Sequence, residues 1–296
     1  MSTNQQYTND EHFVSQGYYK GFSENEATFF AYNVIERKQH DKAFPIRSQC
    51  FQKHLYELRD ENSEFFLRNH IENTLASIES EFLKKRNALV NKAHKENCKT
   101  KCFFTSEEKL FWKIFIGLQL LRTDSTLERT TEFIKKHFGE DLNNNIAKDF
   151  ALFASFPFWG EDEEDFFSLF MNLMYMMKDM YICLFIDESE SIFTTDNPVF
   201  IHAPKMAEGL IDLMVYPLLP GMVIILFGDA ITKHNSQSKN CLVYFDDNTL
   251  DITRREIALS ANNWVYSREP LSKKDIELIN ETRDNHDLVI KNYKPL

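Results

Sequence analysis

The hydrophobic positions of this chain follow a strand period near the N-terminus, a helix period through the middle and a strand period again after Met180. Residues 28–34, with the sequence TFFAYNV, are rich in strand formers and predict part of an N-terminal strand pair. The later strands are predicted from short apolar runs at residues 181–186, 191–193, 199–201, 213–218, 222–227 and 242–245.

The middle of the chain predicts a block of helices. Ile71, Leu75, Ile78 and Phe82 recur at helical spacing and form one apolar face. The same periodicity predicts helices over residues 62–92, from 105 onward, over 127–137, over 142–153 and from about 161.

Two capping motifs mark helix starts. Thr105 and Glu108 form a T-x-x-E capping box, and Ser272 with Asp275 is expected to cap a closing helix. Residues 246–248, Asp-Asp-Asn, are typical of a turn.

The order of these elements predicts the fold class. Strands, helices, strands and a final helix favour one α+β domain over residues 1–296, with a mixed or antiparallel sheet built from both ends of the chain and a central helical block. The expected parts are strands in 1–60, helices in 61–180, sheet strands in 181–270 and a helix in 271–296.

The composition narrows the class of protein. A net charge of -11 argues against a broad surface for nucleic acid or anionic membranes. The chain has no apolar stretch of membrane-spanning length, and its five scattered cysteines are typical of reduced thiols, so we expect a cytoplasmic protein. The basic segment 84–101 could contact the phosphates of a nucleic acid, or it could be a solvated helix end.

The strongest candidate for chemistry is the turn at residues 194–199, with the sequence TTDNPV. Asp196 could act as a catalytic base or bind a divalent metal, Mg²⁺ or Mn²⁺, and Asn197 could orient a substrate. The structural alternative is an Asx-turn, in which the Asp196 side chain accepts a hydrogen bond from the backbone two residues on.

Arg122, His12 and Gln16 are the next candidates. Arg122 continues an apolar helix face, so it needs either an acidic partner inside the protein or a bound anion, such as a substrate phosphate. His12 and Gln16 share a face in a helix or in a strand. His12 could transfer a proton and Gln16 could bind substrate, or both could serve the structure.

Acids, a histidine and thiols elsewhere in the chain could supply further ligands for a metal. Glu72 and Glu79 lie seven residues apart on one helix face, where they could assist Asp196 in holding a metal or form a solvated border. His94, Cys98 and Cys102 have a spacing that could line up soft ligands for zinc, but no fourth ligand accompanies them.

Four short boxes give the chain a family resemblance. They are HFVSQGYYKGFS at 12–23, FIGLQLLRT at 115–123, IFTTDNPV at 192–199 and YPLLP at 216–220. The chain resembles a bacterial family catalogued as a domain of unknown function, whose boxes read H-Y-V-P-Q-x-Y-L-x-x-F-S and F-I-T-S-D-N-P-V. The chain departs from the family at Ser15, where the family has a proline, at Thr195, where it often has a serine, and at Leu219, where its P-L-S-P element has a serine. The resemblance implies no established chemistry.

Two functions follow from these residues as hypotheses. The leading hypothesis is a metal-dependent hydrolase of phosphate esters or nucleic acid, with Asp196 on the metal, Arg122 on a phosphate and His12 assisting proton transfer. The alternative is a non-catalytic module that binds a small molecule or a protein, with the same residues serving as structure. Convergence of His12, Arg122 and Asp196 in one open pocket would favour the enzyme.

Overall fold

The fold of the protein is α+β, as the sequence predicts, in a computed structural model that describes residues 10–59, 64–66, 68–95, 102–156, 168–202, 211–228 and 240–285. The strands are β1 Asp10–His12, β2 Thr28–Asn33, β3 Lys38–Gln39, β4 Phe44–Pro45, β5 Phe51–Lys53, β6 Leu58–Arg59, β7 Phe65–Phe66, β8 Tyr181–Ile186, β9 Thr194–Thr195, β10 Phe200–His202, β11 Leu213–Leu219, β12 Met222–Phe227, β13 Leu242–Tyr244 and β14 Trp264–Ser267. The α-helices are α1 Gln16–Tyr19, α2 His70–Lys95, α3 Ser106–Leu121, α4 Asp124–Phe138, α5 Asn144–Ser155, α6 Leu169–Met177, α7 Asp247–Ser260 and α8 Lys273–Asp284.

The larger apolar strands form a mixed sheet in the order β10-β11-β12-β8-β13. All neighbours are antiparallel except β13, which runs parallel to β8. Every residue of β12 is buried. A strand that is apolar along its whole length needs cover on both faces, and this is why its sequence reads as a continuous hydrophobic run.

A second sheet joins the two ends of the chain. Its order is β3-β2-β14-β9, with β4 also paired to β2. The N-terminal strand β2 pairs directly with β14, from Phe30 opposite Ser267 to Asn33 opposite Trp264. The prediction of a sheet built from both ends is therefore confirmed, although β14 itself lies beyond the predicted strands.

The helical block is held by aromatic packing. Phe82 of α2 stacks on Phe115 of α3 with ring centroids 4.2 Å apart, and Phe115 also approaches Tyr216 of the mixed sheet at 6.1 Å. Helix α3 comes close to α6 at Gly117, where an added Cβ would lie 3.4 Å from a methyl group of Leu173. Among the described helices, none has the length and apolar character needed to cross a bilayer.

The short helix α1 connects the two sheets. The hydroxyl of Tyr18 donates to the carbonyl of Pro217 in β11 at 2.7 Å and lies 2.6 Å from the hydroxyl of Thr194 in β9. The hydroxyl of Tyr19 donates to the carbonyl of Thr195 at 3.0 Å. Both tyrosines are fully buried, so these polar contacts lie inside the core between the sheets.

The capping predictions are confirmed, and several boundaries are corrected. Capping boxes start α3 at Thr105 and α8 at Ser272. The first long helix begins at His70, and the predicted strand 191–193 is replaced by β9. The predicted turn at 246–248 is wrong, because Asp246 accepts the N–H of Thr249 and caps α7. The predicted acidic helix start at 161–165 lies outside the described residues.

Candidate functional site

Arg122 lies at the C-terminal end of α3 and is 2% exposed. Its Nη1 donates to Glu79 Oε1 of α2 at 2.6 Å, and its Nη2 donates to the backbone carbonyl of His12. Its Nε lies 3.4 Å from the hydroxyl of Tyr56. Each nitrogen of the guanidinium therefore has a partner within the protein. The contact with Glu79 is the internal ion pair that the sequence predicts as one of two alternatives, the other being a bound phosphate.

More carboxylates surround this ion pair. Glu11 of β1 is fully buried, and its Oε2 accepts the backbone N–H of Tyr56 at 2.8 Å. Glu72 lies seven residues before Glu79 on α2 and interacts electrostatically with Glu79 and Arg122. We call Glu11, His12, Tyr56, Glu72, Glu79 and Arg122 the Arg122 cluster.

Several buried polar atoms in and beside the Arg122 cluster have no hydrogen-bond partner among the described residues. They are Glu11 Oε1, Glu72 Oε2, Gln119 Oε1 and the hydroxyl of Tyr216. Tyr216 belongs to the mixed sheet and feels the charges of Arg122 and Glu79. Buried polar groups in folded proteins nearly always have a partner, so this concentration of unpaired oxygens is unusual.

Two acids of the Arg122 cluster, Glu11 and Glu72, have pKa values near neutral pH. Burial raises the pKa of Glu11 from 4.5 to about 7, against the opposing hydrogen bond from Tyr56. Burial also raises the pKa of Glu72 to about 7, although the positive charge of Arg122 opposes the rise. Both side chains can therefore gain or lose a proton near neutral pH, as acid–base groups and ligand-responsive groups do.

His12 and Gln16 meet at the partly exposed edge of this cluster. Nε2 of His12 lies 3.1 Å from Nε2 of Gln16, which confirms that the two side chains share a face. Burial lowers the pKa of His12, while a hydrogen bond with the backbone of Arg47 opposes the fall. The structure thus brings together five residues predicted from the sequence: His12, Gln16, Glu72, Glu79 and Arg122.

Asp196 lies elsewhere, at the end of β9. It is 5% exposed, and its two carboxylate oxygens accept the backbone N–H groups of Asn262 and Asn263, each at 2.8 Å. Burial raises the pKa of Asp196 to about 6, while these N–H donors oppose the rise. The side chain therefore ties β9 to the loop between α7 and β14.

The predicted Asx-turn at Asp196 is wrong. The residue two positions on is Pro198, which has no N–H to donate. Instead, the hydroxyl of Thr195 accepts the N–H of Asn197 at 3.1 Å, and the buried Oδ1 of Asn197 has no partner among the described residues. In the part of the chain that is described, no hydrogen bond or ion pair joins Asp196 to the Arg122 cluster.

The basic segment 84–101 is partly engaged by the protein. Lys85 pairs with Glu107 at 3.2 Å, Lys92 pairs with Glu108 at 3.0 Å, and Arg86 donates to the carbonyl of Gly17 at 3.2 Å. Residues 96–101 of this segment lie outside the described residues. They include Cys98, one of the three residues with zinc-ligand spacing. Lys85, Lys92 and Arg86 thus interact with groups of the protein itself, although the sequence suggested that cations of this segment could contact phosphates.

Groups of three His, Cys, Asp or Glu side chains placed to hold a metal ion are absent from the described ranges. The four described cysteines, Cys50, Cys102, Cys183 and Cys241, are free thiols, as predicted.

Sequence reasoning missed Glu11, Tyr56 and Tyr216. Glu11 precedes His12 in a short strand, and alternation places its side chain on the opposite face, away from the predicted His12–Gln16 pair. Its strand reads Asp-Glu-His, and nothing in that local sequence indicates a buried acid. Tyr56 and Tyr216 had no signal, because they reach the cluster through pairings between distant segments.

Comparison with known proteins gives one family. The family model described as "Protein of unknown function (DUF4238)" matches residues 11–270 and therefore spans the mixed sheet, the helical block and the Arg122 cluster. Comparisons with curated proteins and with solved structures found no match. Since the match covers most of the 296 residues, the chain belongs to the DUF4238 family of proteins of unknown function.

Proposed function

We propose that this protein binds a small organic cation, an amine or a guanidine, at the Arg122 cluster. The observation that carries the proposal is the pair of buried, unpartnered carboxylate oxygens, Glu11 Oε1 and Glu72 Oε2. Such oxygens cost free energy unless a donor reaches them.

The charge balance of the Arg122 cluster supports a cationic ligand. Glu79 already neutralises Arg122, so Glu11 and Glu72 are the surplus acids. The ammonium of Lys148 lowers the pKa of Glu11 from a distance, and no hydrogen bond joins the two side chains among the described residues. An incoming ammonium or guanidinium would supply both the missing donors and the missing positive charge.

Because the pKa values of Glu11 and Glu72 are raised, cation binding should change the number of protons that the protein holds. A cation beside Glu72 or Glu11 favours the ionised carboxylate and lowers its pKa. Near neutral pH, where these groups are partly protonated, binding should therefore release protons. Two glutamates that serve only the structure would release no protons when an amine is added.

The second candidate function is a metal-dependent hydrolase of phosphate esters or nucleic acid. The observation that favours it is Glu72, whose pKa of about 7 suits general acid–base catalysis at neutral pH and which interacts electrostatically with Glu79 and Arg122. In this alternative, Mg²⁺ or Mn²⁺ is the cation, with Glu72 and Glu79 as ligands. The role of Asp196 as metal ligand or base, with Asn197 orienting the substrate, stays a prediction from the sequence.

Calorimetric titration separates the two candidates. Agmatine and putrescine are titrated into the protein near neutral pH in two buffers of different ionisation enthalpy, and Mg²⁺ and Mn²⁺ are titrated in parallel. We expect agmatine to bind with proton release and Glu72→Gln to weaken binding about tenfold, or 1.4 kcal/mol. Glu81→Gln on the same helix is the control, since Glu81 is 45% exposed and pairs with Lys84 at 3.5 Å.

Two results would change the conclusion. Absence of binding for both amines in protein that melts cooperatively would overturn the cation-binding proposal. Binding of Mn²⁺ together with cleavage of bis(p-nitrophenyl) phosphate, both lost in Glu72→Gln, would establish the hydrolase instead.

A further inference from the structure

A surface cavity of about 800 Å³ lies between α3 and α6, apart from the Arg122 cluster. The two helices are in close contact at Gly117, beside Leu173 and Met174, and the cavity opens where α3 begins and α6 ends. Its volume is in the range of sites for small molecules. We call it the lysine cavity.

Positive charge dominates the lysine cavity. Lys109 and Lys113 of α3 and Lys178 at the end of α6 line it, against the single carboxylate of Asp179. On a protein of net charge -11, such a site is a local exception. Three ammonium groups and one carboxylate favour an anionic ligand.

Lys113 is the innermost of these cations. It is 8% exposed, and its Nζ donates to the backbone carbonyl of Lys178 at 2.8 Å. An ammonium has three N–H donors, so two remain for a ligand. Burial, with the nearby Lys109, lowers the pKa of Lys113 to about 8, while Asp179 opposes the fall. A bound anion would relieve this cost.

The walls of the lysine cavity are apolar and exposed. Leu110 is 55% exposed, Met171 is 60% exposed and Tyr175 is 75% exposed, and all three line the cavity. Lys178 also lies over the Tyr175 ring, with its Nζ 5.7 Å from the centroid. Large apolar side chains clustered at the surface mark binding sites, and a purely polar anion would leave them uncovered.

We propose that the lysine cavity binds a small organic anion with an apolar body, such as a medium-chain carboxylate. The carboxylate lies against Lys113 and Lys109, and the alkyl chain covers Leu110, Met171 and Tyr175. The volume of about 800 Å³ suits a small molecule better than an extended peptide, which would need a longer groove.

The test uses three probes with the same chain and different head groups: decanoate, decanol and decyltrimethylammonium. Calorimetric titration of the full chain should show that decanoate binds most tightly, about tenfold or more tighter than decanol. Lys113→Met and Lys109→Gln should each weaken decanoate binding at least about fivefold, because each removes a cation from the head-group end. Lys136→Gln on α4 is the control and should leave binding unchanged.

A second variant keeps the proposal falsifiable if Lys113→Met fails to fold. Tyr175→Ser alters an exposed side chain and should weaken decanoate and decanol binding alike, because it removes apolar contact. Equal affinity for decanoate and decanol would overturn the anion site. Binding of decanoate that survives both Lys109→Gln and Tyr175→Ser would overturn the location.

Discussion

Arg122 Nη1 and Glu79 Oε1 lie 2.6 Å apart, and their side chains are 3% and 24% exposed. This ion pair connects α3 to α2, and the same guanidinium reaches the carbonyl of His12 in β1. One arginine therefore joins the N-terminal segment to the helical block.

Removal of Arg122 should be costly. Arg122→Met leaves Glu79 without the guanidinium and removes one of the two donors to the His12 carbonyl, the other being the Tyr56 hydroxyl, and we expect the free energy of unfolding to fall by about 3–5 kcal/mol. Urea denaturation measures this change. The matched control is Arg37→Met, since Arg37 pairs with Asp284 at the surface with side chains 52% and 51% exposed, and its loss should lower the free energy of unfolding far less than the loss of Arg122.

A double variant tests the same pair. In Arg122→Met/Glu79→Leu both charges are gone, so the loss should be smaller than the sum of the two single losses. Additive losses would show that the two side chains do not stabilise one another.

Glu256 on α7 should make stability depend on pH. It is 3% exposed, and burial raises its pKa from 4.5 to about 8. The folded protein therefore holds a proton that the unfolded chain loses, so this group's contribution to stability is present at low pH and is lost as pH rises from about 4.5 to about 8.

Glu256→Gln should remove that dependence. The variant should be more stable than the parent above pH 8 and should show a shallower fall of melting temperature between pH 5 and pH 8, across the interval set by the two pKa values. Thermal melting across this range measures the effect, with the exposed Glu277→Gln as control. Parallel pH profiles for parent and Glu256→Gln would contradict the prediction.

Asp196→Asn should destabilise the loop that follows α7. Both carboxylate oxygens accept backbone N–H groups, whereas a carboxamide offers one oxygen and turns an NH₂ group toward the other donor. We expect a loss of about 1–3 kcal/mol by urea denaturation. Asp246→Asn is the control, because Asn serves equally well as the N-cap of α7.

The same variant tests the predicted metal role of Asp196. If Asp196 carries Mg²⁺ or Mn²⁺, calorimetric titration should show metal binding in the parent and its loss in Asp196→Asn. Unchanged metal affinity, together with the loss of stability, would assign Asp196 to structure alone.

Deletion of residues 1–35 should abolish soluble folding. The deletion removes β2, which pairs with β14, and it removes fully buried aromatic side chains that include Tyr18, Tyr19 and Phe22. A sheet that loses an inner strand exposes unpaired backbone groups and apolar surface. A truncated protein that is soluble and melts cooperatively near the parent temperature would refute this prediction.

Part of the candidate site could be read from the sequence. The even spacing of His12 and Gln16 predicts that they share a face, and the apolar face of α3 predicts that Arg122 points inward. An acid beside an amide and a proline at Asp196 is typical of an ordered turn, but its backbone partners come from Asn262 and Asn263, 66 and 67 residues further on. Local chemistry could not indicate partners that distant.

The sequence by itself determined the strand and helix periods of the hydrophobic positions and the N-caps of the helices, because these depend on neighbours within a few residues. It therefore also determined the α+β class. It also determined that Arg122 faces inward. The tertiary structure decided that β14 pairs with β2 and that Asp196 forms its hydrogen bonds away from Arg122. It also decided that Glu11 binds the backbone N–H of Tyr56 and that Tyr216 feels the charge of Arg122. Those relationships come from packing between segments far apart in the chain, where burial and charge are set by the whole fold rather than by local pattern.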